Sequence, residues 1–473
     1  MGKSITSSFT VNLPLALMGN QYKELAHKFY SAEKIYNKAV KYYKKQIRKM
    51  FMDPEYKNAK GKDRTDLIKK YKLTTYDIMC FCSGETNKKY KKLLDSTNTQ
   101  DLMKRVAKSI EKYLYDNGRN IHYIRYNTLY SIGTANTVSK TTYDIETNTV
   151  RFVNMKLKVR NKSLNNPYIK EALTHKIKFI RIIRLPFNTG YRYYVQLILE
   201  GYPPNYKVTN NKGDVGIDIG TSTVAVSSKK ACLLKELSPL NQKYVKQIAD
   251  INKKMENSRR ISNPDNYNPD GTIKKGKHTW KYSNNYKKLK RKYQTLNRKR
   301  AAYIKQFNET IANEILDMGN TVYIEDMNFK GLQRRAKKTE KNKNNRFKRK
   351  KRFGKTLQSR APAQLVSIID RKLHYLGLEI HKVDTKSFKA SQYNHIDNTY
   401  KKKSLGQRET IIGQDKIQRD LYSAFLLMNS LPDLTKTDRD KCIKTYNNFK
   451  ALHDKCIEEI KQTTSKRLSS FGF

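Results

Sequence analysis

The sequence predicts an α/β domain joined to an all-α and an all-β domain, and three observations carry that prediction. Apolar residues recur at the helical period over 21–51. Strand-like alternation fills 150–161 and 175–202. A buried strand, an Asp-x-Gly turn and a second strand begin at Val215, in "VGIDIGTSTVAV". The 473 residues are enough for two to four domains with at least one large core.

Taken in order, residues 1–19 read as one isolated strand. From Gln21 to Phe51 a stripe of Leu25, Phe29, Ala32, Tyr36, Ala39, Tyr43, Ile47 and Met50 predicts a long amphipathic helix, and further helical pieces extend a basic helical domain over 20–118. Residues 119–210 read as a β-domain, with Asn188-Thr189-Gly190 closing a hairpin. An α/β domain spans 211–388 and resumes at 414–430. It is interrupted by a basic helical insertion over 240–318 and by a segment over 389–413, and a helical tail covers 431–473.

Composition restricts the function. There are 98 Lys and Arg against 42 Asp and Glu, a formal net charge of +56. Such a field serves no small-molecule enzyme, whereas nucleic acid is its natural counterion. The 37% of hydrophobic residues, with 33 Tyr and 16 Phe, argue against a disordered basic chain. Cys80, Cys82, Cys232, Cys442 and Cys456 form no Cys-x-x-Cys pair, so no structural zinc is expected. No signal-peptide pattern and no apolar run of about 18 residues occur, which predicts a cytoplasmic protein with no membrane partner.

Two chemistries begin with words like "VGIDIGTSTVAV". In sugar kinases and their ATPase relatives the Asp-Gly turn handles phosphate, but those enzymes need further Gly-rich loops. This chain has 20 Gly, no two adjacent. A nuclease with two Mg²⁺ ions needs instead isolated carboxylates from separate elements, because Mg²⁺ takes oxygen ligands and keeps its waters. Three candidates stand in that pattern. Asp218 ends the first strand, Glu325 ends the strand in "VYIED", and Asp420 opens the helix in "RDLYSAF". Each also has a plainer reading. Asp218 could be a turn acid, with Gly216 and Gly220 shaping the turn. Glu325 could be a surface or capping acid beside its rival Asp326, and Asp420 could be an acid paired with Arg419, with Asp415 as rival.

In this order, with the basic helices "SNNYKKLKRKYQTLNRKRAAYIKQFNETIANEIL" between the first two acids, these motifs resemble the split RuvC-like nuclease of the TnpB proteins. TnpB proteins are encoded by insertion sequences and are related to compact type V CRISPR effectors. The resemblance covers about 210–430. It implies an RNase-H-like RuvC domain, a helical recognition domain and a β-barrel wedge domain that includes the first strand. It further implies a guide RNA from the transposon end, double-stranded target DNA read beside a short motif, one chain per guide RNA, and Mg²⁺ or Mn²⁺ held by Asp218, Glu325 and Asp420.

The family usually carries a zinc ribbon before the third acid. Here Asn394 and Asp397 occupy its first ligand pair, Thr410 and Gly413 fall near the second, and His395 is expected to be a satisfied polar residue. Fourteen of the 26 residues over 330–355 are Lys or Arg. Arg334, Arg335, Lys348, Arg349, Lys350, Lys351 and Arg352 are the candidate nucleic-acid contacts. The alternatives are a nuclease-dead RNA-guided DNA-binding protein acting as a repressor, a CRISPR-associated effector, and a plain RNA-binding protein.

Overall fold

The structure is a computed structural model. It describes residues 7–81, 93–116, 118–134, 141–160, 164–204, 211–335, 338–342, 344–345, 347, 353–404, 406–463 and 471–472. The chain divides into two compact units, Met1–Tyr206 and Lys207–Phe473.

In the first unit, β1 (Ser8–Ala16) buries Phe9, Val11, Leu13 and Leu15 on one face by simple alternation. Helix α1 (Gly19–Met52) follows. All eight residues of the apolar stripe are buried, and the helix stops one residue before Pro54. After shorter helices at Gly61–Lys70 and Thr75–Cys80 comes α2 (Ser96–Leu114). The Asp95 carboxylate caps it by accepting the Asn98 N–H at 2.8 Å.

The remaining strands are β2 (Ser131–Gly133), β3 (Thr142–Asp144), β4 (Thr149–Phe152), β5 (Met155–Val159), β6 (Ile177–Phe187) and β7 (Gly190–Glu200). With β1 they form one seven-stranded sheet, ordered β2-β6-β7-β1-β5-β4-β3. The Phe187–Gly190 pair closes the β6–β7 hairpin, with Gly190 at a φ of 145°. Helices and sheet share one core, in which Leu25, Phe29 and Ala32 meet Leu13, Val195 and Leu197.

The barrel expected here is not closed. Among the described residues β2 and β3 are free edges. β1 joins the two halves of the sheet, pairing with β7 from Ser8 to Pro14 and with β5 at Leu15 and Ala16, so the seven strands form one open row with β2 and β3 at its ends.

The second unit is built on a five-stranded sheet. Its strands are β8 (Asp214–Ile219), β9 (Thr223–Ser228), β10 (Cys232–Glu236), β11 (Thr321–Glu325) and β12 (His381–Val383), in the order β10-β9-β8-β11-β12. Numbered by appearance, that is 3-2-1-4-5. β9 runs antiparallel to β8 and β10, while β11 is parallel to β8 and β12. Between β10 and β11 lie α3 (Asn241–Ile261) and α4 (Asn284–Met318), and α5 (Pro362–His374) precedes β12. Val215, Ile217 and Ile219 of β8 point to the face covered by Ile311 and Ile315 of α4 and by Leu365 and Ile369 of α5. Two hairpins follow: β13 (Tyr393–Asn394) with β14 (Thr399–Tyr400), and β15 (Glu409–Ile412) with β16 (Asp415–Gln418). The opposite sheet face is covered by α6 (Arg419–Met428), beside α7 (Arg439–Thr463).

Candidate metal centre

Strand parity decides which side chains of the sheet face α6. Because Val215, Ile217 and Ile219 point to α4 and α5, Gly216 and Asp218 point the other way. On β11, Val322 and Ile324 share the α4 face, so Tyr323 and Glu325 lie on the α6 side. The parallel register sets Ile324 opposite Ile217, which brings Glu325 alongside Asp218 at the same end of neighbouring strands.

Helix α6 reaches this face through Gly216. A Cβ on that residue would lie 1.9 Å from the Ala424 carbonyl oxygen and 2.5 Å from the Met428 nitrogen. Gly216 therefore admits the helix backbone onto the strand; it does not shape the turn, as its spacing suggested. One helical turn before Ala424 stands Asp420, on the same helix face, and two strand residues after Gly216 stands Asp218. Asp420 thus lies near enough to Asp218 for its charge to act on that carboxyl.

The electrostatics record this convergence. Burial pushes the Asp218 carboxyl well above the usual carboxylate range. The charges of Asp420 and Glu325 push it further, and Arg419 and a hydrogen bond from Ser423 oppose them. Burial raises Glu325 to about 7. Asp420 is held by cations: Arg419 donates from Nε and Nη2 to its Oδ1 at 3.3 Å, and Arg408 Nη1 lies 3.8 Å from Oδ2. Arg419 also donates to the carbonyls of Ser404 at 3.2 Å and Gln407 at 2.8 Å, which ties those two residues to the acid. Among the described residues, no three His, Cys, Asp or Glu side chains form a ready-made group for one metal ion. The carboxyls of Asp218, Glu325 and Asp420 offer oxygen donors alone, the kind that hard cations take.

The rivals are placed elsewhere. Asp415, on β16, accepts from the Tyr446 hydroxyl at 3.0 Å and pairs with Lys450 at 3.8 Å, so it belongs to the contact with α7. Asp326 is exposed, one residue beyond the end of β11. Arg334 and Arg335 are exposed after a short helix at Phe329–Leu332. Lys348, Arg349, Lys350, Lys351 and Arg352 lie outside the described residues, as does Cys82. Sequence reasoning missed Ser423 and Arg408. Ser423 sits one residue from the turn of helix that touches Gly216. Arg408 reaches the acid because its carbonyl accepts the Arg419 N–H at 2.8 Å, across the base of the β15–β16 hairpin.

Segment 389–413 contains a hydrogen-bonded aromatic cluster. Asn394 donates to Asp397 at 2.7 Å within the first hairpin turn, Thr410 is buried, and Gly413 makes the second turn at a φ of 60°. His395 is completely buried. The Tyr422 hydroxyl accepts from its backbone N–H at 3.1 Å and meets Nδ1 at 2.8 Å. Its Nε2 has no partner among the described residues, and burial lowers its pKa to about 4. Arg439 donates to the carbonyls of His395 and Ile396, both at 2.8 Å.

The raised carboxyls predict a pH dependence. Without a divalent cation, folded Glu325 keeps its proton up to about 7, while the unfolded chain releases it near 4.5. Folding stability should therefore fall as pH rises through that window and level off above it, by about 1–3 kcal/mol. Thermal melting of metal-free protein and of the E325Q variant, compared from pH 5 to 8, checks this. The variant should gain stability over the wild type as pH rises, and parallel curves would contradict the assignment.

No protein-family model matches the chain, and no curated protein does. Among the solved structures similar to it are two Cas12f complexes. One is a Cas12f1 chain, from a cryo-EM structure of the Cas12f1–sgRNA–target DNA complex. It is 14% identical, with 91% of this chain and 99% of that chain covered and a TM-score of 0.45. The other is from a cryo-EM structure of a CRISPR–Cas12f ternary complex. It is 15% identical, with 89% and 84% covered and a TM-score of 0.25. Both scores are too low for a functional argument, which rests here on the geometry of the site.

Proposed function

We propose that the protein is an RNA-guided DNA endonuclease that hydrolyses phosphodiester bonds of target DNA at a Mg²⁺-dependent site of the RNase-H and RuvC type. One observation carries this reading. Asp218, Glu325 and Asp420, from three elements far apart in sequence, converge on one face of a sheet ordered 3-2-1-4-5, where Asp218 feels both of the others. The resemblance of the same motifs to TnpB proteins agrees with it. A divalent cation at such a site would activate water and neutralise the leaving oxygen.

The chain's own residues do the rest. β8 and β11 fix two carboxylates in register, and the Gly216 contact fixes the third. Ser423, whose hydroxyl donates to the Arg419 carbonyl at 3.1 Å, stands beside Asp218, and Arg419 holds Asp420 together with the carbonyls of Ser404 and Gln407. The basic surface would hold guide RNA and target DNA by their backbones, with sequence read by base pairing. Arg334, Arg335 and the cluster 348–352 are proposed as RNA contacts, and 389–413 as free of zinc.

A nuclease-dead RNA-guided DNA-binding protein is the second reading. Its support is the pair of arginines on Asp420 and the lack of a ready-made three-ligand group among the described residues. RNA extracted from the protein after expression with its native locus tests the shared claim. One discrete RNA with a constant part and a variable end is expected. A heterogeneous mixture of cellular RNA fragments would overturn it.

A further inference from the structure

Residues 119–130, "RNIHYIRYNTLY", form neither helix nor strand, yet their main chain is pinned along its length. Asn37 of α1 donates to the Ile124 carbonyl and accepts the Ile124 N–H, each at 2.8 Å. Arg184 of β6 donates from Nε to the Leu129 carbonyl at 2.7 Å, and its backbone N–H bonds the Tyr130 carbonyl at 2.9 Å. The Tyr191 hydroxyl donates to the Asn127 carbonyl at 2.8 Å, and the Thr128 N–H closes a turn onto Arg125 at 3.0 Å. Asn127 sits in that turn at a φ of 58°, a conformation asparagine tolerates. With Ile121 and Leu129 buried, His122, Tyr123, Arg125, Tyr126 and Tyr130 are left exposed.

Helix α1 runs beside this segment with a matching face. Tyr30, Lys34, Asn37, Lys41 and Lys44 are spaced four, three, four and three apart, which places them in one row, and Asn37 is the member that docks on Ile124. The Tyr30 and Tyr126 rings lie 6.1 Å apart. Lys34 Nζ stands 5.1 Å from the Tyr30 centroid, and Lys44 Nζ stands 4.8 Å from that of Tyr123. Tyr126 is 67% exposed and Tyr123 47%. Single exposed aromatics need no explanation. Here, however, rings and cations stand side by side along a segment whose main chain is held by several hydrogen bonds.

Aromatic faces next to cations suit bases that are out of their stack, because each base offers a π-face and carries its phosphate a short distance away. A duplex hides those faces. We propose that the track formed by Tyr30, Tyr123 and Tyr126 with Lys34 and Lys44 binds unpaired nucleotides, the bases stacking on the tyrosines and the phosphates lying against the lysines. This rests on the reading of the chain as a nucleic-acid-binding protein and is independent of the metal centre. RNA and DNA single strands share the chemistry.

Short RNA and DNA strands bearing a 5-iodouracil base, and a duplex of the same sequence, are irradiated with the full-length protein, and the crosslinked peptides are sequenced. Crosslinks at Tyr123 or Tyr126 are expected from a single strand and not from the duplex. RNA alone, DNA alone, or both would each support the track and identify the source. The Y123A/Y126A pair should weaken single-strand binding about tenfold or more, with duplex binding unchanged, and Y123F/Y126F should restore it. Equal losses on duplex and single strand, failure of the phenylalanine pair to restore binding, or crosslinks only elsewhere would overturn the proposal. A wild-type protein that binds neither form would instead overturn the nucleic-acid reading itself.

Discussion

Replacing Asp218, Glu325 or Asp420 by alanine is expected to abolish DNA cleavage, by at least about 10³-fold, or roughly 4 kcal/mol of transition-state stabilisation. The three losses should be similar and should not add, because each acid serves one site. Binding of RNA and target should persist, since the removed groups are anions in a chain of charge +56. Asp415→Ala is the control. Its carboxylate bonds Tyr446 and Lys450, so the change should leave cleavage intact and cost only modest stability. If D415A stopped cleavage while D420A did not, the third acid would be misassigned.

The second large effect belongs to Gly216. A methyl group there would lie 1.9 Å from a backbone oxygen of α6, which no rotamer change can relieve. Gly216→Ala should therefore displace α6 or cost about 3–5 kcal/mol, beyond the usual range for adding one methyl group to a core. Cleavage should drop by at least about 10²-fold even where the protein folds, because Asp420 moves with the helix. Gly220→Ala is the matched control. Its nearest contact would be the Thr223 hydroxyl at 3.3 Å, and it should cost less than about 1 kcal/mol. Urea unfolding and a cleavage assay on both variants decide the matter, and equal behaviour of the two would refute the packing argument.

What could be read from the sequence was what repeats or alternates. The stripe from Leu25 to Met50 follows one helix face, and all eight of its residues are buried. Asn188-Thr189-Gly190 carries its own turn chemistry, and the hairpin closes there. Asp218, Glu325 and Asp420 stood out because an acid at the edge of an apolar run has few structural uses. What could not be read depends on contacts between distant residues. Gly216 looks like a turn glycine, because nothing nearby in sequence announces Ala424. Arg408 reaches Asp420 only because a hairpin folds back between them. The order of the first sheet, with β1 between β7 and β5 and with β2 and β3 at the ends, depends on strand pairings that the alternating pattern does not reveal. His395 reads as a satisfied polar residue, but among the described residues it has a partner for Nδ1 and none for Nε2, and it is packed against the rings of Phe425 and Tyr446, contacts that come from distant helices.

The central claim is that this metal centre cuts DNA chosen by an RNA. It is tested most directly by exchanging the variable end of the bound RNA and supplying Mg²⁺ with two plasmids, one matching the original RNA and one matching the exchanged one. Cleavage should move to the plasmid that matches the exchanged RNA and should vanish with the D218A variant. Cleavage that ignores the exchange, or that survives D218A, would contradict the account.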